Sequence, residues 1–170
     1  PDGRVVATVQ NNIITSNTST GLSTVSARAL PKVFHNDAWG NGTPAQSSNF
    51  GGTLANLSPS ASDLAGNPIP DATCTPTTTI CGNISVNPFF VNPVDPRNVS
   101  DRAEFYRIAN FELRSESKLI DRGKDKDSPS RDFKGRIRIV DIPGVGNETS
   151  PPLTGPDSEP RSVDIGAFEF

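Results

Sequence analysis

Two short stretches, residues 11–17 (NNIITSN) and residues 35–41 (HNDAWGN), decide the fold that the sequence predicts. Aligning them superposes two pairs of asparagines at one constant separation of 24 residues: Asn12 with Asn36, and Asn17 with Asn41. Asparagine tolerates left-handed backbone geometry at tight corners, and stacked amides can hydrogen-bond to one another. We therefore predict a repeat of about two dozen residues with an asparagine ladder at its corners. A chance match in an Asn-rich chain is the alternative.

Short β-rich runs occupy the sequence around both stretches. They lie at residues 5–9, 12–15, 22–25 and 32–34. Helical periodicity is nearly absent, because 16 Pro and 14 Gly residues interrupt the chain too often for long helices. In the aligned stretches Ile14 matches Ala38, whereas Ile13 meets Asp37 as a mismatch. Since three short strands per repeat suit one coil of a parallel β-helix, we expect an all-β chain of that architecture.

Charge and hydropathy exclude several classes of partner. The 170-residue chain has a net charge of −3 and a pI near 5.1, which argues against binding to nucleic acid or to an anionic membrane. No apolar run approaches the roughly 18 residues that a membrane-spanning helix needs. The chain lacks Met and a basic, apolar leader and begins at Pro1, so we expect a processed product or an excerpt of a longer protein.

The distribution of charge predicts three segments. Residues 1–90 hold seven charged side chains and the later residues hold the other 28, which indicates a change of architecture. We expect β-helix coils in residues 1–43, a long Ser/Thr/Pro-rich loop in residues 44–82, and final strands with an irregular C-terminal cap in residues 83–170. The sequence leaves open whether the loop is an ordered binding element or a mobile excursion.

Two cysteines lie inside the predicted loop, in CTPTTTIC. Cys74 and Cys81 are the two cysteines of the chain, and the short Thr/Pro segment between them favours a local disulfide worth roughly 2–3 kcal/mol. A disulfide implies an oxidising compartment, so we expect the protein outside the cell or at the cell surface. Two free thiols in a cytosolic loop are the alternative.

The C-terminal segment is expected to contain two further strands and one helical turn. Residues 136–141 alternate charged and apolar side chains. In residues 163–170 the alternation places every second residue from Val163 to Ala167 on one face. Ser115 is suited to cap a short helical turn at the following residues.

Several motifs of the chain resemble a known pattern. They are FHNDAWGNG (34–42), GNISVNPFFVNP (82–93), FELRSESKLIDRG (111–123), RDFKGRIR (131–138) and VDIGAFEF (163–170). In this order they resemble the C-terminal region of secreted right-handed parallel β-helix proteins, of the pectate-lyase-like and choice-of-anchor type. The resemblance covers residues 83–170 well, residues 1–44 moderately and residues 45–82 not at all. Lys134 and Ile137 depart from it, since Asp and Pro are common at those two places.

Four acidic residues in LIDRGKDKDSPSRDFKGR form the strongest candidate for a metal site. They are Asp121, Asp125, Asp127 and Asp132. Oxygen-rich loops of this kind can bind calcium, which takes about six to eight oxygen ligands. Five basic residues interleave with them, so solvated ion pairs worth under about 1 kcal/mol each are the alternative. Lys134 stands where Asp is common in the resembling proteins, so this loop has one carboxylate fewer than theirs. This difference weakens the inference of calcium.

No catalytic residue can be assigned from the sequence. The chain offers no pair of carboxylates that can be placed on one face of a coil, and no Ser-His-Asp set, phosphate loop or dinucleotide motif. Trp39 is the candidate for stacking on a sugar ring, although a single aromatic residue in a β protein usually packs in the core.

We therefore expect a non-catalytic extracellular or cell-surface β-helix module with a structural, adhesive or glycan-contacting role. Its expected partners are a polysaccharide or glycan, and a second copy of the chain bound through the exposed N-terminal coil. The resemblance implies an alternative, since many such proteins act on acidic polysaccharides. In that case the chain is the C-terminal part of a polysaccharide lyase or glycoside hydrolase whose catalytic coils lie upstream.

Overall fold

The structure is a computed structural model that describes residues 7–24, 31–43, 46–52, 54, 80–95, 98–123, 127–138 and 163–168. Short strands make up most of the regular secondary structure in these residues, so the prediction of an all-β chain is confirmed at that level. The elements are β1 (Thr8–Gln10), β2 (Ile13–Thr15), β3 (Leu22–Thr24), β4 (Lys32–Phe34), β5 (Asp37–Trp39), β6 (Gly42–Thr43), β7 (Gln46–Ser47), β8 (Phe50–Gly52), β9 (Ile80–Cys81), β10 (Phe90–Asn92), α1 (Arg102–Ile108) and β11 (Asn110–Leu113).

Three columns of parallel strands form the N-terminal part of the molecule. β4 lies between β1 and β9, β5 pairs with β2, and β8 pairs with β3. The first two columns share one register of 24 residues, in which Val9 lies beside Val33 and Ile14 lies beside Ala38. The third column is offset further because the antiparallel hairpin β6–β7 lengthens the chain before β8. After β9, Ile84 forms a parallel bridge with Asp37, and the chain then leaves the columns.

Side-chain alternation along these strands produces two hydrophobic cores. The inner core contains Val33, Ala38, Phe50 and Leu54, with Leu22 and Ile80 packed against it. The outer core contains Ile84, Val86, Phe90, Leu113, Leu119, Ile120 and Ile165, with Ile13 and Phe111 packed against it. Successive residues of a strand point to opposite faces, so the second column faces the inner core through Ala38 and the outer core through Ile13 and Ile84.

The single helix of the described residues was not expected from the sequence. α1 begins after Asp101, whose side chain accepts a hydrogen bond from the backbone N–H of Ala103 at 2.9 Å. None of the seven helical residues is buried, so the helix has no apolar stripe that periodicity could reveal. It connects β10 to β11, which pair antiparallel.

The helical turn expected after Ser115 is a pair of simple turns in the structure. The hydroxyl that accepts a local backbone N–H is that of Ser117, at 3.2 Å from the nitrogen of Leu119. Ser117 also donates to the carbonyl oxygen of Pro88 at 2.7 Å. A buried serine therefore fixes this turn, because its hydroxyl has partners on both sides.

The strand expected at the C-terminal end is a bent segment over the described residues 163–168. Its backbone hydrogen bonds go to separate parts of the chain, since Ile165 donates to Leu119 and Gly166 donates to Asn11. Consequently no single neighbouring strand can impose a regular pleat. Val163 and Ile165 are fully buried, whereas Ala167, which was expected on the same face, is exposed.

The other expected strand, residues 136–141, is described only as far as residue 138. Ile137 makes an isolated antiparallel bridge with Arg131 across a tight turn, and its side chain is exposed. The alternation of charged and apolar residues therefore marks one arm of a turn at these positions.

Candidate functional site

An asparagine ladder occupies the corner between the first and second columns. Nδ2 of Asn12 donates to Oδ1 of Asn36 at 2.9 Å, and Nδ2 of Asn36 donates to Oδ1 of Asn83 at 3.0 Å. The same two oxygens also accept from the backbone N–H groups of Asn12 and Asn36. Asn36 is fully buried. The amides thus satisfy one another, whereas an isolated buried amide would destabilise the fold.

A second ladder lies at the next corner. Nδ2 of Asn17 donates to Oδ1 of Asn41 at 2.8 Å, and Nδ2 of Asn41 donates to Oδ1 of Asn49 at 3.3 Å and to the carbonyl oxygen of Ile14 at 2.8 Å. The structure thus brings together both predicted asparagine pairs and adds a third member to each ladder. Sequence reasoning missed Asn49 and Asn83 because the hairpin and the loop break the constant spacing. The dipeptide Ser16-Asn17 recurs as Ser48-Asn49 directly before β8, and this repetition is the signal that would have identified Asn49.

Left-handed residues precede the ladder asparagines and turn the chain from one column to the next. At the first corner they are Asn11 (φ 56°), His35 (φ 48°) and Gly82 (φ 68°), and at the second corner Ser16 (φ 62°) and Gly40 (φ 61°). Glycine is required at Gly82 for a second reason, since a Cβ there would lie 2.6 Å from the imidazole ring of His35. The stacked corner residues therefore pack directly against one another.

The C-terminal segment docks on the first corner. Nδ2 of Asn11 donates to Oγ of Ser128 at 2.7 Å, and the carbonyl oxygen of Asn11 accepts from the backbone N–H of Gly166 at 3.0 Å. Nδ1 of the buried His35 lies 3.0 Å from the carbonyl oxygen of Arg122. Asn11 and His35, which directly precede two ladder asparagines, therefore also hold the C-terminal segment in place.

Three of the C-terminal motifs meet around residues 163–168. Oδ1 of Asp164 accepts from the backbone N–H of Asp121 at 3.0 Å. Nη2 of Arg138 donates to the carbonyl oxygens of Asp164 and Gly166 at 3.1 and 2.8 Å. Asp121, Asp164 and Arg138 are all buried. The side chains of Asp164 and Arg138 therefore satisfy backbone groups of residues 121, 164 and 166.

A small ion-pair network fastens the turn at residues 132–135 to β11. Nζ of Lys134 lies 2.9 Å from Oε1 of Glu112, and Nη2 of Arg136 lies 3.2 Å from the same oxygen. The hydrogen bond from Lys134, aided by Asn110 and Arg136, holds the pKa of Glu112 below its ordinary value. Nε of Arg136 also binds Oδ2 of Asp132 at 2.7 Å. Lys134, which departs from the resembling proteins, therefore has a carboxylate partner within this chain.

Asp37 stands out as a fully buried carboxyl group between the two cores. It takes the place in the second column that Ile13 and Ile84 take in the neighbouring strands. Oδ1 accepts from the backbone N–H of Val86 at 2.9 Å, while Oδ2 has no hydrogen-bond partner within the described part of the chain. Burial raises the pKa of Asp37 to about 8, and the hydrogen bond from Val86 offsets only part of this shift. The sequence mismatch at this position thus marks an unusual carboxyl group.

The structure does not bring Asp121, Asp127 and Asp132 into one group. Asp132 accepts hydrogen bonds from the backbone nitrogen and Nε of Arg136, Asp127 is exposed, and Asp125 lies outside the described residues. No cluster of three or more His, Cys, Asp or Glu side chains occurs in the described ranges. Calcium binding by this loop stays a prediction.

The predicted disulfide also stays a prediction, because Cys74 lies outside the described residues and Cys81 is described only as the last residue of β9. Most of the predicted loop at residues 44–82 lies outside them as well. Trp39 ends β5, where it is half-buried and lies in register with Thr15 of β2.

A cleft of about 540 Å³ opens where the β1–β2 corner, the β10–β11 pair and residues 166–168 approach one another. Amide and hydroxyl side chains line it on the strand side, and phenylalanines line it on the C-terminal side. Three segments far apart in sequence build this cleft, so it is a feature of the folded chain that no local motif could predict.

The described residues contain no helix with the length and hydropathy to cross a bilayer. No family model, curated protein or solved structure matches the chain. The resemblance to secreted parallel β-helix proteins therefore stays a prediction from the sequence motifs, and the function has to be argued from the geometry.

Proposed function

We propose that the chain is a non-catalytic scaffold module whose parallel columns are coils of a right-handed parallel β-helix, with the C-terminal segment as a lateral cap. Its role is structural, adhesive or glycan-contacting, outside the cell or at the cell surface. The observation that carries the proposal is the pair of asparagine ladders that run in the same direction as the parallel columns. Both ladders tie one coil to the next through side chains as well as backbone.

The ladders favour a scaffold because the polar side chains at the corners form hydrogen bonds with one another. Asn36 alone takes part in hydrogen bonds with Asn12, Asn83, Phe34 and Val9. Each satisfied buried amide makes the corner geometry specific and rigid, since breaking any one bond leaves a buried polar group without a partner. Rigid coils of this kind suit a surface that presents ligands or neighbouring chains.

The column edge formed by β1, β2 and β3 supports the adhesive part of the proposal. β1, β2 and β3 each have one partner strand among the described residues, and Asn12 and Asn17 are the exposed ends of their ladders. A strand edge that has no second partner among the described residues suits the addition of another strand layer. A second copy of the chain is the occupant that the proposal names. The extracellular placement rests on the predicted disulfide and on the sequence resemblance.

Two measurements test this function on the full chain. The first incubates the protein with insoluble cellulose, chitin and pectin, and measures both depletion of protein from solution and release of reducing ends or unsaturated sugars. The proposal expects depletion without release, whereas release of either product would show that this chain is itself catalytic and would refute the non-catalytic role. The second measures molar mass by light scattering over a range of concentrations. Association that grows with concentration supports edge pairing, and a constant monomer mass refutes it.

A further inference from the structure

The cleft beside the β1–β2 corner has two chemically different walls. One wall carries the side chains of Gln10, Asn12 and Thr15, which are amides and a hydroxyl. The other wall consists of the phenylalanines that β10, β11 and the C-terminal segment contribute to the lining. A volume of about 540 Å³ lies within the usual range of sites for small molecules.

The polar wall offers hydrogen-bond donors and acceptors that carry no formal charge. Nδ2 of Asn12 donates to Gln10 and Asn36, while its Oδ1 accepts no hydrogen bond from the described residues. Oγ1 of Thr15 has one long hydrogen bond of 3.3 Å to the hydroxyl of Ser16, so it retains capacity for another partner. Such groups recognise hydroxyl groups, which both donate and accept.

The aromatic wall is held in a fixed arrangement. The rings of Phe90 and Phe111 are perpendicular, with centroids 5.3 Å apart. Phe168 makes an edge contact with Phe133 at 5.7 Å and lies 5.8 Å from Nζ of Lys134. Phe90 is a buried core residue that braces Phe111, and the half-buried rings of Phe111 and Phe168 can contact the apolar face of a ligand at little entropic cost.

The described lining of the cleft exposes little formal charge. Among the described residues that line it, Arg138 is the one with a charged side chain, and this residue is only 6 % exposed. Its guanidinium already donates to two backbone carbonyl oxygens of residues 164 and 166. Little of this guanidinium is therefore accessible for direct contact with the carboxylate of an anionic sugar, which would lose hydration on entering the cleft.

We propose that this cleft binds a neutral saccharide, with hydroxyl edges on the amide wall and an apolar ring face on the phenylalanines. The inference rests on the glycan-contacting part of the proposed function and assigns it to a site other than Trp39 or the loop at residues 44–82. The site lies at the join between the first coil and the C-terminal segment, so it exists only when both are docked.

The test uses the full chain labelled with ¹⁵N and four probes: cellobiose, maltose, N,N′-diacetylchitobiose and digalacturonate. Titration is followed through the side-chain amide signals of Gln10 and Asn12. At least one neutral disaccharide is expected to shift these signals with a dissociation constant of roughly 1 mM or lower. Digalacturonate is expected to bind at least about tenfold more weakly.

A matched pair of variants localises the binding. Ala167 is exposed and lines the cleft, so Ala167→Trp fills the cleft without removing a side-chain contact and is expected to weaken binding at least about tenfold. Ser19→Trp places the same ring on an exposed bend and is expected to leave binding within about twofold. Equal binding by both variants would overturn this site while leaving a glycan-contacting role elsewhere. The inference would be overturned if no neutral disaccharide shifts the signals, or if digalacturonate binds as tightly as the neutral probes. The scaffold proposal would survive either result, because it depends on the stability of the asparagine ladders.

Discussion

Replacing Asp37 with Asn removes an ionisable group from the boundary between the two cores. The substitution preserves the acceptor for the backbone N–H of Val86, because the amide oxygen can take the place of Oδ1. The nitrogen then takes the place of Oδ2, which has no partner in the described residues. The main change is therefore the loss of a proton equilibrium, and the expected effect is on how stability depends on pH.

The sign and size of that effect follow from the pKa of Asp37, which burial raises from 3.8 to about 8. Between these values the folded chain keeps a proton that the unfolded chain has released. Stability is therefore highest at acid pH and falls by about 1.4 kcal/mol for each pH unit as the pH rises through this window. Above pH 8 both states are ionised and the decline stops. The whole effect is on the order of 5 kcal/mol.

Urea unfolding at intervals from pH 4.5 to pH 9, followed by the fluorescence of Trp39 and by circular dichroism, measures this dependence. The quantity to compare is the difference in free energy of unfolding between the wild type and Asp37→Asn, because the other titrating groups cancel in it. The stability of the variant relative to the wild type is expected to increase by about 1.4 kcal/mol for each pH unit between pH 5 and pH 8.

Asp127→Asn is the control, since it makes the same chemical change at an exposed aspartate. Its stability is expected to follow that of the wild type at every pH. If the profile of Asp37→Asn also runs parallel to the wild type, Asp37 is ionised in the folded chain at neutral pH and the account of its burial is wrong.

Three further substitutions test the corners and the ion pairs by urea unfolding at pH 7. Asn36→Ala is expected to destabilise the chain by about 2–4 kcal/mol, because it leaves several buried groups without partners. Asn12→Ala, at the exposed end of the same ladder, is expected to cost under about 1 kcal/mol. Equal losses in the two variants would contradict the ladder. Gly82→Ala is expected to cost about 1–3 kcal/mol more than Gly135→Ala, since both have positive φ but only the first meets an imidazole; a smaller cost at Gly82 would refute the close packing. Glu112→Gln is expected to lose up to about 1 kcal/mol at low salt. Because the pKa of this glutamate is lowered, the loss should be full above pH 4.5 and vanish as the pH falls below it, and a loss that persists in acid would contradict the ion pairs.

The corners were the most predictable part of the fold. Asparagine at a constant spacing identifies a position that needs a side-chain amide, and the structure joins Asn12 to Asn36 and Asn17 to Asn41. The left-handed geometry expected of these asparagines was wrong by one residue, since the residues directly before them adopt it. The same reasoning could not find Asn49, because a two-strand hairpin inserted before it changes the spacing. The alignment also showed Asp37 as a mismatch, but only its burial shows that the mismatch has an energetic consequence.

The C-terminal segment was less predictable because its partners are distant in sequence. Alternation in residues 163–168 indicated a strand, yet the backbone there bonds to Leu119, Asn11 and Gly123 instead of one neighbour. The cleft has the same origin, since its walls come from both ends of the chain. Local patterns carry information about a residue's own backbone preferences and burial, whereas these features depend on which segments dock together.

The direct test of the proposed coiled arrangement is the set of nuclear Overhauser contacts between backbone protons of β1, β2, β4 and β5. Parallel coils require contacts at one constant separation of 24 residues, as between Val9 and Val33 and between Ile14 and Ala38. Observation of that series across both columns would support the account. Contacts between residues whose numbers have a constant sum would instead indicate antiparallel pairing and would contradict it.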